Sequence, residues 1–140
     1  MTINNMWLRF ISISALKWVV MNCVIVLVSL YLIPRTWHGY AIIIPMWLIT
    51  FACAFGFATW ALSKRLPSWR DLGWLVVIWL VVSLILQNVY EQLLFGYALW
   101  FLRSLDLLLG FVIEILAIVL AFYFVRRNKI KASLPKGMVA

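Results

Sequence analysis

Residues 107–125 read LLLGFVIEILAIVLAFYFV, and Arg126-Arg127 follow at once. A run this apolar predicts a membrane-spanning helix, because about 20 helical residues cross the hydrocarbon layer of about 30 Å. One carboxylate, Glu114, stands near its middle. An ionised acid at that depth is costly, and chains that carry one usually give it a partner or a use. Taking Arg103 as zero at about 100° per residue, Glu114 falls at about +20°, Gly110 at about −20°, Ala117 at about −40°, Asp106 at about −60° and Ala121 at about 0°. Small and ionisable residues thus share one stripe, which predicts an inward face; the bulky remainder faces lipid or apolar neighbours.

Working outward, three more apolar runs reach spanning length, giving expected spans over 16–33, 40–62, 72–91 and 105–125. Hydrophobic residues make up 67% of the 140 and charged residues 11%. So short a chain has no core large enough to hide that much apolar surface, so lipid must cover the rest. The runs are continuous rather than alternating, which excludes a strand barrel, and helices alone then satisfy the backbone in lipid. Nothing in the composition marks a linker, so residues 1–140 read as a single membrane domain. Arg9, Lys17 and the following apolar run resemble a signal peptide, but no small-residue cleavage site follows; an uncleaved first span is expected.

The net charge of +8 raises nucleic acid as a partner until the charges are placed. They collect between the apolar runs, as in membrane proteins, so no nucleic-acid partner is expected. Arg9 precedes the first span and Lys17 stands at its start. Lys64, Arg65 and Arg70 lie between the second and third, and Arg126, Arg127, Lys129, Lys131 and Lys136 follow the fourth. Ten of the twelve basic residues then share one side, with Arg35 and Arg103 on the other. The positive-inside rule predicts an all-α integral membrane protein, a four-transmembrane-helix bundle in a plasma or inner membrane with both termini cytoplasmic. Trp7, Trp18, Trp60, Trp69 and Trp74 fit an aromatic belt on the basic side, and Trp37 and Trp100 one on the other. Trp47 and Trp79 lie deeper. The basic segment 126–140 reads as a disordered cytoplasmic tail that meets anionic lipid headgroups.

The second span holds two small-xxx-small pairs, Ala52 with Gly56 and Ala54 with Ala58, which predict helix packing together with Gly110. Gln87, Asn88 and Glu91 end the third span at the boundary that Arg103 and Asp106 reach from the fourth, so a polar cluster is expected there, with Glu114 below it. Residues 93–104 read as an interfacial segment or as a tilted start of the fourth helix. Three roles stand open for Glu114. It is a protonated structural residue bonded to Asn22, Ser29 or Ser83, burial favouring the neutral acid; or it meets a basic residue of another subunit; or it is a proton, cation or substrate site.

Cys23 and Cys53 lie inside apolar runs, and His38 is a lone histidine in a loop. No nucleophile elbow, phosphate loop or Cys/His cluster appears, so neither catalysis nor a cofactor is expected. In length and four-span layout the chain is similar to small multidrug transporters and to GtrA-like membrane proteins. The first family carries its key Glu in the first span, where this chain has none. Arg9-Phe10 resembles the Arg-Phe pair that often precedes the first span of the second. No further motif of either family matches, so no activity or residue role follows. The leading expectation is a non-catalytic membrane subunit or helical scaffold, part of a homo-oligomer or a larger membrane complex. The alternative is a small oligomeric transporter or channel-like protein with Glu114 as its coupling site.

Overall fold

The computed structural model describes residues 3–31, 40–96 and 105–133. These form four helices: α1 (Ile3–Tyr31), α2 (Tyr40–Leu62), α3 (Trp69–Phe95) and α4 (Leu105–Ser133). Each is long and apolar enough to span a membrane. At most a third of each apolar window is buried within the chain. Leu8, Leu27, Leu30, Leu48, Val112 and Leu116 all point outward, a surface that suits hydrocarbon and not water.

The helices run up and down. Trp7 of α1 meets Trp74 of α3, and Trp69 of α3 meets Phe122 of α4. Arg9 donates to the carbonyl of Trp60 at the end of α2, which also accepts from the Ser63 hydroxyl. The beginnings of α1 and α3 and the ends of α2 and α4 therefore share one end of the bundle, here called the near end. The helices form a ring in which α2 packs on α1 and α4, and α3 packs on the same two. As a result, α1 and α4 face each other across the centre.

The turn from α2 to α3 is held by a capping box. Ser68 accepts from the backbone N–H of Asp71, and the Asp71 carboxylate accepts from the backbone N–H of Ser68. Arg65 pairs with the same carboxylate. At its other end α3 stops at Gly96, whose φ of 71° is the left-handed conformation that glycine adopts without a Cβ clash. Leu93–Phe95 thus belong to α3 and Gly96 caps it, while residues 97–104 lie outside the described residues.

Three helices depart from their expected bounds. The first begins at Ile3 rather than near residue 16, so Lys17 stands at its centre, fourteen residues from each end. It is not a flanking charge. α3 begins three residues earlier than expected and ends four later. α4 continues past Val125 to Ser133, so Arg126–Lys131 are helical rather than part of a disordered tail. At about 1.5 Å per residue, the 29-residue α4 is about 43 Å long, well beyond the hydrocarbon thickness of about 30 Å.

The core is not evenly distributed. Phe10, Ile13, Ala54, Ala58, Ala61, Leu62, Leu72, Leu75, Ile78, Trp79, Ala117, Ala121, Phe122 and Val125 form one buried cluster in the near half. The predicted stripe on α4 does face inward, with Glu114, Ala117 and Ala121 buried. Of the two small-residue pairs on α2, Ala54 and Ala58 are fully buried, whereas Ala52 and Gly56 face away from the bundle. A Cβ at Gly56 or Gly110 would meet nothing within 4 Å, so neither glycine serves close packing inside this chain. Accordingly, Ala58→Leu is expected to destabilise the protein by about 1–3 kcal/mol through overpacking. Ala52→Leu should stay within about 0.5 kcal/mol of the parent. Thermal unfolding in mild detergent checks both; equal losses would refute the assigned packing face.

Candidate functional site: a buried charge pair below a cavity

α1 presents Phe10, Ile13, Ser14 and Lys17 at positions i, i+3, i+4 and i+7, one helical face, and all four are buried. Ser14 bonds back to the carbonyl of Phe10. Lys17 has 0% exposure. Its Nζ donates to Glu114 Oε2 at 2.8 Å and to Ser83 Oγ at 3.2 Å. The same Oε2 accepts from Trp79 Nε1 at 3.1 Å. The ammonium also lies 5.0 Å from the centroid of the Trp79 ring, in reach of its negative face. Residues from α1, α3 and α4 thus converge on one ion pair at the bundle centre.

This corrects the expected partners of Glu114. Asn22 and Ser29 instead donate to the carbonyls of their own helix, at Trp18 and Ile25. Ser83 reaches the acid only through Lys17. The basic residue that meets Glu114 here is Lys17 of the same chain. Lys17 and Trp79 were missed as site residues because a lysine among apolar residues reads as a span boundary and a deep Trp reads as core. The usable signal was the i, i+3, i+4, i+7 face, which places Lys17 in line with Phe10, Ile13 and Ser14.

Charges removed from water are costly, and the pair offsets that only with good geometry and further hydrogen bonds. Here the geometry is good. Among the described residues, no buried side-chain nitrogen or oxygen lacks a partner.

Beyond the pair, toward the far end, the bundle is hollow. A cavity of about 380 Å³ is bounded by all four helices. Glu114 and Ser83 stand at its inner end. Its walls carry Trp18, Met21, Trp47, Tyr90 and Phe111, and its polar groups are Asn22, Thr50, Ser83, Gln87, Glu91 and Glu114. Past Lys17 no residue of α1 is buried, so this half of the helix leaves room rather than filling it. Gly110 lines the cavity, and its absent side chain leaves space there.

Glu91 is 1% exposed and accepts from Gln87 Nε2 at 2.9 Å. Gln87, Glu91 and Glu114 line one cavity. Asn88 is half-buried on the same helix and also has an interaction partner. Arg103 lies outside the described residues, as do Arg35 and His38, and of Asp106 only the helical backbone is described. Trp47 and Trp79, the two tryptophans set deep in their helices, prove to be site residues: Trp47 borders the cavity and Trp79 bonds the acid. No family model matches the chain, and neither a curated protein nor a solved structure does.

Proposed function

We propose that this chain is a small membrane protein that takes a ligand or ion into the cavity from the far side. Glu114 closes the inner end of that cavity with Lys17 bonded behind it, and the pair acts as the coupling element. The observation that carries this reading is the asymmetry of the bundle. One half is packed solid, and the other holds a chamber of ligand size with a few convergent polar groups. A scaffold that needed only to be rigid would gain by filling that chamber, since voids forfeit packing energy. The ion pair closes its inner end. Protonation of Glu114, or a ligand bonded to it, weakens its hold on Lys17, and the released ammonium is then free to take another partner. A two-state floor of this kind is what coupling requires.

The proposed orientation keeps both termini in the cytoplasm. With Lys17 withdrawn into the bundle, sequence order leaves nine basic residues toward the near end against Arg35 and Arg103 toward the far end.

The scaffold reading keeps two specific supports. Glu114 is already neutralised inside its own chain, and Ala52 and Gly56 face outward, where a second copy or another subunit would pack.

Thiol labelling separates the two readings. In a background lacking Cys23 and Cys53, Thr50→Cys and Gln87→Cys should react with a membrane-impermeant reagent added outside. Ala121→Cys, in the packed half, should react from neither side. In proteoliposomes loaded with a pH dye, Glu114→Gln should slow dissipation of a pH gradient at least tenfold. A cavity that labels from neither side, with no proton flux in the parent, would leave the scaffold standing and remove the transport reading.

A further inference from the structure

The geometry points to a binding site for the phosphate of an anionic phospholipid on the near end, in the groove between the start of α3 and the last turns of α4. A shallow groove of about 460 Å³ is lined there by Trp69, Tyr123, Arg126, Arg127, Ile130 and Lys131. This site is separate from the cavity and does not depend on transport.

Three observations carry it. The first is depth. Arg126 and Arg127 lie twelve and thirteen residues beyond Glu114, or about 18 and 20 Å at the helical rise. Half the hydrocarbon thickness is about 15 Å and half the full bilayer about 20–22 Å. With Glu114 at mid-bilayer, both guanidiniums stand at the level of the headgroups. Trp69 agrees, lying ten residues, about 15 Å, from Trp79, which bonds Glu114.

The second is preorganisation. Arg126 is held with its guanidinium 5.8 Å from the ring centroids of both Trp69 and Phe122. It therefore loses little side-chain freedom on binding, and its fork matches a phosphate in two-point geometry. Arg127 and Lys131 are four apart and exposed on the same face of the helix.

The third is amphipathicity. Trp69, Tyr123 and Ile130 are 57%, 52% and 44% exposed beside these cations. An aromatic ring with a polar edge suits the interface, and Tyr123, one turn deeper than Arg127, offers an apolar face to the upper acyl chain. A soluble anion would leave that apolar wall uncovered. A phospholipid covers both parts, so the lipid is the proposed source of the phosphate.

The test is a titration of the full chain in mild detergent with phosphatidylglycerol or phosphatidylcholine, read as bound lipid by native mass spectrometry. The parent should retain phosphatidylglycerol at least tenfold more tightly than phosphatidylcholine. Arg126→Lys with Arg127→Lys conserves charge but removes the fork, and should weaken phosphatidylglycerol about tenfold. Arg127→Lys alone, at an exposed position, should give a smaller loss in a protein whose fold is undisturbed. Lys64→Gln with Arg70→Gln removes two charges elsewhere on the same end and should change binding less than threefold. Parental affinity in both lysine variants would reduce the site to diffuse attraction and overturn the proposal. So would an equal loss in the Lys64 and Arg70 variant. Displacement of the lipid by millimolar inorganic phosphate would identify a soluble anion as ligand instead.

Discussion

Lys17→Met is expected to lower stability by about 3–5 kcal/mol, because it leaves a buried carboxylate without its counter-ion. The lost ammonium also removes the bond that Ser83 accepts and the cation above the Trp79 ring. Glu114→Leu should cost a similar amount for the converse reason, leaving Lys17, with 0% exposure, unpaired. The double variant Lys17→Met with Glu114→Leu should recover to the parent's stability or above it, since apolar residues of like volume need no compensation in a buried site. Unfolding by graded denaturing detergent, analysed as a double-mutant cycle, measures the coupling. Additive losses would show that the two residues do not act as a pair. The cycle also bears on function. A double variant that is stable, monodisperse and inactive in the pH-gradient assay ties the pair to coupling; a stable variant with full flux would detach it.

Trp79→Ala should be comparably damaging, at about 3–5 kcal/mol for a large buried aromatic side chain. Trp79 is fully buried, packs in the near-half core and donates to Glu114. Trp79→Phe separates those roles: it keeps most of the volume and removes the donor, for an expected cost of about 1–3 kcal/mol. Trp47→Ala is the control. That ring borders the cavity and is only half-buried, so its loss enlarges an existing space instead of opening a void in packed core. Its effect should be the smallest of the three. A Trp47 variant less stable than the Trp79 variant would reverse the assignment of packed and hollow halves.

The readable part of this site was the part written on one helix. Gly110, Glu114, Ala117 and Ala121 share a face by helical arithmetic alone, and that face points inward. Gln87 and Glu91 were legible in the same way, as successive turns of α3. Lys17 was not. Hydropathy treats each residue as though it met lipid, so a lysine ends a span; yet the helix runs on for fourteen residues to either side of it. Whether Lys17 meets lipid depends on Ser83 and Glu114, which are 66 and 97 residues away. No local pattern carries that distance. The basic segment after Val125 was misread for a related reason: charge ends a membrane span, but it does not end a helix, and Arg126–Lys131 contain no helix breaker.

Periodicity and apolar length alone determined four helices of spanning size and the inward stripe on α4, because both arise from bonds and contacts within single segments. Only the tertiary arrangement decided that α1 and α4 face each other across the ring, that an acid meets a base there, and that one half of the bundle stays hollow. Those three features depend on how far apart neighbouring helices stand, and that spacing is set jointly by side chains on all four of them.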